Sequence, residues 1–217
     1  MPRPILITGI GTDIGKTLVA AIVTEALGAD YWKPVQAGYE TGTDAQTVAS
    51  LISNTSTVIH KESYCLAMPA SPHIAAAKEG VAIELLVLRH DCRAILSTIG
   101  SKPLVVEGAG GLLVPLNQKE TVADFAKAID ARVILVSRNY LGSINHSRLT
   151  AAYCQQAGLS VAGWIFNDQY LDYEEEIVEW SGYPSLGTIA YLDRKDPETI
   201  RFYASLLRGS LQKMIAD

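Results

Sequence analysis

Short, nearly unbroken apolar runs alternate along this chain with longer stretches whose apolar residues recur every three to four positions. The runs at 4–7, 30–35, 104–106, 133–136, 161–166 and 186–191 read as strands, and 56–59 as a further short one. Helices are predicted at 18–27, 45–52, 73–79, 83–99, 122–129, 143–157, 173–180 and 197–215, with Gly28 and Gly158 closing two of them. Residues 61–80 otherwise read as irregular, around Pro69 and Pro72. Strands that are apolar throughout are buried on both faces. With the β-α alternation this predicts an α/β fold, a mainly parallel central sheet with helices on both faces. No linker, internal repeat or low-complexity segment interrupts it, so one domain is expected over 1–217.

The first strand and helix enclose Thr8-Gly9-Ile10-Gly11-Thr12-Asp13-Ile14-Gly15-Lys16-Thr17. A strand, a glycine-rich turn and Gly-Lys-Thr opening a helix form the setting of a phosphate-binding loop. Glycines let backbone N–H groups point into a concave turn, and the helix start adds orphan donors and the positive end of its dipole. Lys16 would reach the β- and γ-phosphates, and the Thr17 hydroxyl would ligate Mg²⁺. The strict pattern wants glycine where Ile10 stands; Gly9 lies one residue early, so the loop is one residue longer than standard.

Composition narrows the partners. Hydrophobic residues make up 48% and charged residues 19%, with a formal net charge of −5 and no basic run. That points to a globular soluble chain and away from nucleic acid or anionic membrane. There is no cleavable leader pattern and no apolar stretch long enough to span a bilayer. Cys65, Cys92 and Cys154 are scattered, without zinc or redox spacing, and are expected to be reduced in a cytoplasmic protein.

In parallel sheets ligands bind beyond the carboxyl ends of the strands, and that rule selects the remaining candidates. Asp44 is either a helix N-cap or a carboxylate for the metal. Glu107 ends a buried strand and runs into Gly108-Ala109-Gly110-Gly111, where backbone can approach a ligand. Lys33, before Pro34, is either a solvated strand-end lysine or a second cation facing phosphate. Asn167 either makes a turn or reads a base edge through its amide. The candidate nucleotide-binding set is Asp13, Ile14, Gly15, Lys16, Thr17 and Leu18 of the loop, with Glu107, Gly108, Gly110 and Asn167.

Five stretches in order resemble the dethiobiotin synthetase family: Thr8-Gly9 … Gly15-Lys16-Thr17, Lys33-Pro34-Val35-Gln36-Ala37-Gly38, Ser71-Pro72-His73-Ile74 with Glu79-Gly80, Val106-Glu107-Gly108-Ala109-Gly110-Gly111, and Leu141-Gly142-Ser143-Ile144-Asn145-His146. Ala157-Gly158-Leu159 and Gly163-Trp164-Ile165-Phe166-Asn167 extend the resemblance to about Leu192, and the family shares the longer loop. It implies an ATP-dependent ligase that joins CO₂ to 7,8-diaminononanoate with Mg²⁺, working as a homodimer with shared sites. It implies Thr17, Asp44 and Glu107 as metal ligands. Thr12, Lys16 and Lys33 would act on the carbamate and γ-phosphate. Lys33, Ala37 and Gly142, Ser143, Ile144 and Asn145 would meet the substrate, the last four binding its carboxylate across the dimer. Ala37 departs from the family's usual Ser or Thr, and Ala190 stands where Pro is common. Tyr170 and Tyr173 are candidates for a tyrosine that holds the substrate tail in some members. His73 and His146 are read as structural.

Two other readings follow from the same loop. One is a partner-regulated ATPase switch of the partitioning or metallocluster type, which would carry an extra lysine early in the loop; residues 10–13 offer none. The other is a small-molecule kinase, which would carry lid arginines; only scattered ones such as Arg138 and Arg148 are present.

Overall fold

In a computed structural model, which describes residues 2–168 and 171–216, seven strands form one parallel sheet. In chain order they are β1 (Ile5–Gly9), β2 (Asp30–Trp32), β4 (Ile59–His60), β6 (Leu104–Glu107), β7 (Arg132–Arg138), β8 (Val161–Asn167) and β9 (Ser185–Ile189). Their order across the sheet is β4-β2-β6-β1-β7-β8-β9, so β1 lies at the centre between β6 and β7. A separate two-stranded parallel ribbon pairs β3 (Val35–Ala37) with β5 (Tyr64–Leu66).

Alternation along each strand sends side chains to two cores. Leu6, Trp32, Val106, Leu135 and Phe166 face one side. It is covered by α3 (Pro72–Lys78), α4 (Leu85–Thr98), α5 (Val122–Ala128), α6 (Ser143–Ala157) and α7 (Glu174–Ser181). Ile5, Ile7, Tyr31, Val105, Ile134 and Ile165 face the other, under α1 (Lys16–Leu27), α2 (Asp44–Leu51) and α8 (Pro197–Ala216). The strands need apolar residues at every position because both faces are covered.

Local signals set the helix ends. Gly28 takes a left-handed φ of 57° and its N–H caps Thr24 O. Thr43 and Gln46 form a capping box at α2, as Thr121 and Asp124 do at α5. The cap of α2 is thus Thr43, not Asp44, whose carboxylate is left to the strand ends.

The expected strand 30–35 is two strands. Pro34 has no N–H to continue the ladder, so β2 stops at Trp32 and β3 begins a new pairing with β5, which the sequence had as irregular. The edge strand expected at 56–59 lies at Ile59–His60, because 56–58 are used to bond Asn54, Ala29 and Asp30 instead. The last strand ends at Ile189, two residues short of the expected 191, where Ala190 N–H turns to Tyr203 Oη.

Candidate active site

The carboxyl ends of β1, β6, β7 and β8, with the β3–β5 ribbon, surround a cavity of about 830 Å³. On its floor the phosphate loop turns into α1. Asp13 and Gly15 take left-handed φ angles of 57° and 91°. A Cβ on Gly15 would sit 1.9 Å from Asn167 Nδ2, so only glycine fits. Gly9 is the last residue of β1, where a Cβ would meet Val136 O at 2.1 Å. Close approach of β7 fixes the glycine at 9 rather than 10. Ile10 is partly buried and packs against both cores.

Charge is concentrated beside the loop. Thr17 Oγ1 lies 3.0 Å from Asp44 Oδ1 and 2.9 Å from Glu107 Oε1. Lys33 Nζ lies 2.7 Å from Asp44 Oδ2 and 3.0 Å from Glu107 Oε1, and donates to Gly108 O at 3.2 Å. Lys16 Nζ donates to Gly11 O at 2.7 Å. Lys16, Lys33 and Glu107 are all buried. Such charges persist only when paired. Burial pulls Lys33 down, but the carboxylates of Glu107 and Asp44 outweigh it and its pKa is raised. Burial pushes Asp44 up; Lys33, the Thr17 hydroxyl and Lys16 together outweigh it, and the carboxyl titrates below its usual range. Among the described residues Lys16 has no such direct pair. Burial, then repulsion by Lys33, lowers its pKa to about 8.

Oxygens of Thr17, Asp44 and Glu107 therefore converge. A hydroxyl and two carboxylates, with room for phosphate oxygens and water, are a hard donor set that suits Mg²⁺.

The far end of the cavity is built differently. Asn167 Nδ2 donates to Ile14 O at 2.9 Å, leaving its Oδ1 as an acceptor. Arg138, beside Asn167 in the β7–β8 register, pairs with Asp168 Oδ2 at 3.1 Å and reaches Asp13 O at 3.5 Å. Two successive loop carbonyls are thus held from β7 and β8. Tyr191, Leu192 and Lys195 complete this end.

Thr12, Asp13, Gly15, Lys16, Thr17, Leu18, Lys33, Ala37, Asp44, Glu107, Gly110 and Asn167 all line the cavity. Ile14 is buried beneath the loop, and Gly108 meets the site through its carbonyl. Gly142, Ser143, Ile144 and Asn145 lie elsewhere, at the start of α6. There Tyr173 Oη donates to Tyr140 O at 3.1 Å and stands 2.6 Å from Ser143 Oγ, so it braces the helix start. Tyr170 lies outside the described residues. His73 Nδ1 and His146 Nδ1 bond Ser71 Oγ and Tyr140 Oη.

Sequence reasoning passed over Tyr31. Its hydroxyl, buried under α1, donates to Glu107 Oε2 at 2.7 Å. Burial, then the Glu107 charge, raises its pKa well above the usual value, so it remains a donor. Read as one apolar position in a strand, it gave no signal of its own. Gln36 was passed over too: Oε1 accepts from Asp44 N and Nε2 donates to Gly38 O, tying the ribbon to the start of α2.

A family model described as an AAA domain matches residues 3–199. The ATP-dependent dethiobiotin synthetase BioD of Cytophaga hutchinsonii is 45% identical over 91% of this chain and 93% of its own. That of Christiangramia forsetii is 42% identical over 97% and 99%. Among solved structures, the MinC:MinD cell division protein complex of Aquifex aeolicus superposes with a TM-score of 0.63 at 12% identity, covering 100% of this chain and 96% of that one. That is a likeness of fold alone, and it agrees with a P-loop NTPase-like α/β architecture. By its phosphate loop and by similarity over nearly its whole length, the chain belongs to the ATP-dependent dethiobiotin synthetase family.

Proposed function

We propose that this chain carboxylates and cyclises 7,8-diaminononanoate with CO₂ and Mg-ATP, giving dethiobiotin, ADP and phosphate. The observation that carries the reading is the convergence of Lys16, Lys33, Thr17, Asp44 and Glu107 on one cavity in a chain of this family. One substrate amine adds to CO₂ and loses a proton, forming a carbamate. A carbamate oxygen attacks the γ-phosphorus as the bond to ADP breaks, giving a carbamic–phosphoric anhydride. The second amine attacks the activated carbonyl carbon, expels phosphate and closes the ureido ring, losing its proton. Mg²⁺, held by Thr17, Asp44 and Glu107, would neutralise charge on the phosphate oxygens. Lys16 and Lys33 stabilise the charge that spreads over the transferring group, and Thr12 lines the same wall. The rest of the catalysis is positioning. No nucleophilic side chain is required.

Asn167 Oδ1 is an acceptor suited to the exocyclic amino group of adenine. Ala37 brings no hydroxyl to the diamine, so the contact usual in the family is missing at that position.

We infer that the site is completed by a second copy of the chain. A smaller cavity of about 390 Å³ lies on the other side of the phosphate loop, lined by Ile10, Leu112, Leu149 and Tyr153. Of the residues lining it, Leu113 is 53% and Leu149 62% exposed, apolar surface that a second copy could cover. The start of α6, with its dipole, suits a substrate carboxylate offered from the partner. The fold alone would equally support a partner-regulated ATPase. The departure from it is the absence of a second lysine in residues 10–13.

The deciding assay is ATP turnover with and without the diamine and bicarbonate. Turnover that requires both, with dethiobiotin as product, is expected. Turnover indifferent to the diamine would remove the reading. Mixing Lys16→Ala with Gly142→Glu chains should restore activity that neither has alone, and no recovery after proven subunit exchange would place each site within one chain.

A further inference from the structure

The two oxygens of Glu107 have different surroundings. Oε1 faces the cavity side, 2.9 Å from Thr17 Oγ1 and 3.0 Å from Lys33 Nζ. Oε2 is engaged by the buried Tyr31 hydroxyl at 2.7 Å. Both residues are almost fully buried, Tyr31 at 0% and Glu107 at 1% exposure, so the bond between them is shielded from bulk water. Tyr31 and Val105 are register partners on β2 and β6, and Glu107 lies two residues beyond Val105 on the same face. The phenol is the length of side chain that spans from one strand to the next strand's end.

We propose that Tyr31 is a positioning residue that makes Glu107 a one-oxygen ligand, and so makes the site discriminate Mg²⁺ from Ca²⁺. This rests on the metal site argued under Proposed function. Mg²⁺ is small and demands near-octahedral geometry, which a single carboxylate oxygen serves well. Ca²⁺ is larger, takes more ligands and readily accepts both oxygens of one carboxylate. A carboxylate whose second oxygen is fixed by a phenol cannot turn both toward the ion without breaking that bond inside a dry core. Groups that hold a metal ligand commonly change metal affinity by about 10–100-fold when removed.

The test is Tyr31→Phe, which deletes one oxygen and keeps the ring that packs in the core. Affinity for a fluorescent, non-hydrolysable ATP analogue is titrated against Mg²⁺ and against Ca²⁺, and the preference is the ratio of the two metal midpoints. The wild-type protein should bind the nucleotide in a metal-dependent way with Mg²⁺ preferred. Tyr31→Phe should lower that preference about ten-fold while metal-free binding is unchanged. In a Glu107→Gln background the same substitution should leave the ratio where it was, because the oxygen it frees no longer belongs to a charged ligand. A ratio unmoved by Tyr31→Phe, beside a wild type that does depend on metal, overturns the role of Tyr31 and leaves the metal site standing. So does a ratio that falls equally in the Glu107→Gln background. A wild type whose nucleotide binding ignores metal overturns both.

Discussion

At the amino end of β2, Asp30 accepts from Val58 N, His60 Nε2 and Lys102 Nζ. Just past its carboxyl end, Lys33 lies between Asp44 and Glu107. Both are lysine–carboxylate networks with at least one group buried, and they sit three residues apart in the sequence. At Asp30 two partners come from segments that must be joined, β4 and the turn before β6, and the carboxylate is 2% exposed and lines neither of the two cavities described. At Lys33 every member borders the cavity, and there is an excess of charged groups beyond what one pair needs. Burial of charge does not by itself identify a site. What separates the two is the end of the strand at which they stand and whether the charges have open space to meet a ligand.

That comparison can be broken by substitution. Asp30→Ala strands Lys102 against the sheet and should cost about 3–5 kcal/mol of stability in urea unfolding, with turnover per folded molecule unchanged. Burial pushes the Asp30 carboxyl up, but Lys102, Val58 N and His60 together outweigh it and hold it below its usual range, so its contribution is present above the unfolded pKa and is lost as pH falls through the folded one. Lost turnover in the folded variant would make the two networks alike after all.

Lys16→Ala should do the opposite. Turnover should fall roughly a hundredfold or more, about 3 kcal/mol in the barrier, while stability holds, since the ammonium removed is one that burial penalises. Near-normal turnover by the folded variant would remove Lys16 from the chemistry.

Glu107→Gln and Asp44→Asn sharpen the contrast from the other side. Each should move the Mg²⁺ midpoint for activity by about ten-fold, because an amide oxygen is a weaker ligand for a hard cation. Unchanged midpoints in both would return these residues to a structural role like that of Asp30.

The smallest expected effect is on pH. Lys16 titrates at about 8 in the folded protein against 10.5 ordinarily. Between those values the unfolded chain holds more protons, so Lys16 makes stability rise with pH across that window. Phosphate favours the charged form, so nucleotide affinity should instead weaken as pH rises past about 8, by at most about five-fold over the first unit. Both slopes should flatten in Lys16→Ala, as read by thermal melting and nucleotide titration.

Much of this arrangement is legible before any coordinates. The apolar runs of β1, β6, β7 and β8 are visible because strands covered on both sides tolerate nothing else. Gly15-Lys16-Thr17 is visible because phosphate binding ties residue type to spacing. Three features are not visible, each for a physical reason. Short ribbon strands such as Tyr64–Leu66 lack the length that makes a period measurable. Tyr31 reads as core because its ring is core, and only its terminal oxygen meets Glu107. Arg138 stands 30 residues from Asp168 in sequence, and only the β7–β8 pairing makes them neighbours.

Pro34 ends one sheet and begins another. Its carbonyl accepts from both Ser63 N and Tyr64 N, so the β3–β5 ribbon closes on itself and leaves the β2–β6 ladder untouched. The consequence is modularity. Lys33 follows the large sheet, while Ala37 rides on the ribbon beyond a proline joint. A side chain exchanged at Ala37, unlike one at Gln36 whose amide holds Asp44 N, leaves the strand ends that align Lys33 with Glu107 undisturbed. The joint lets one wall of the cavity change apart from its floor.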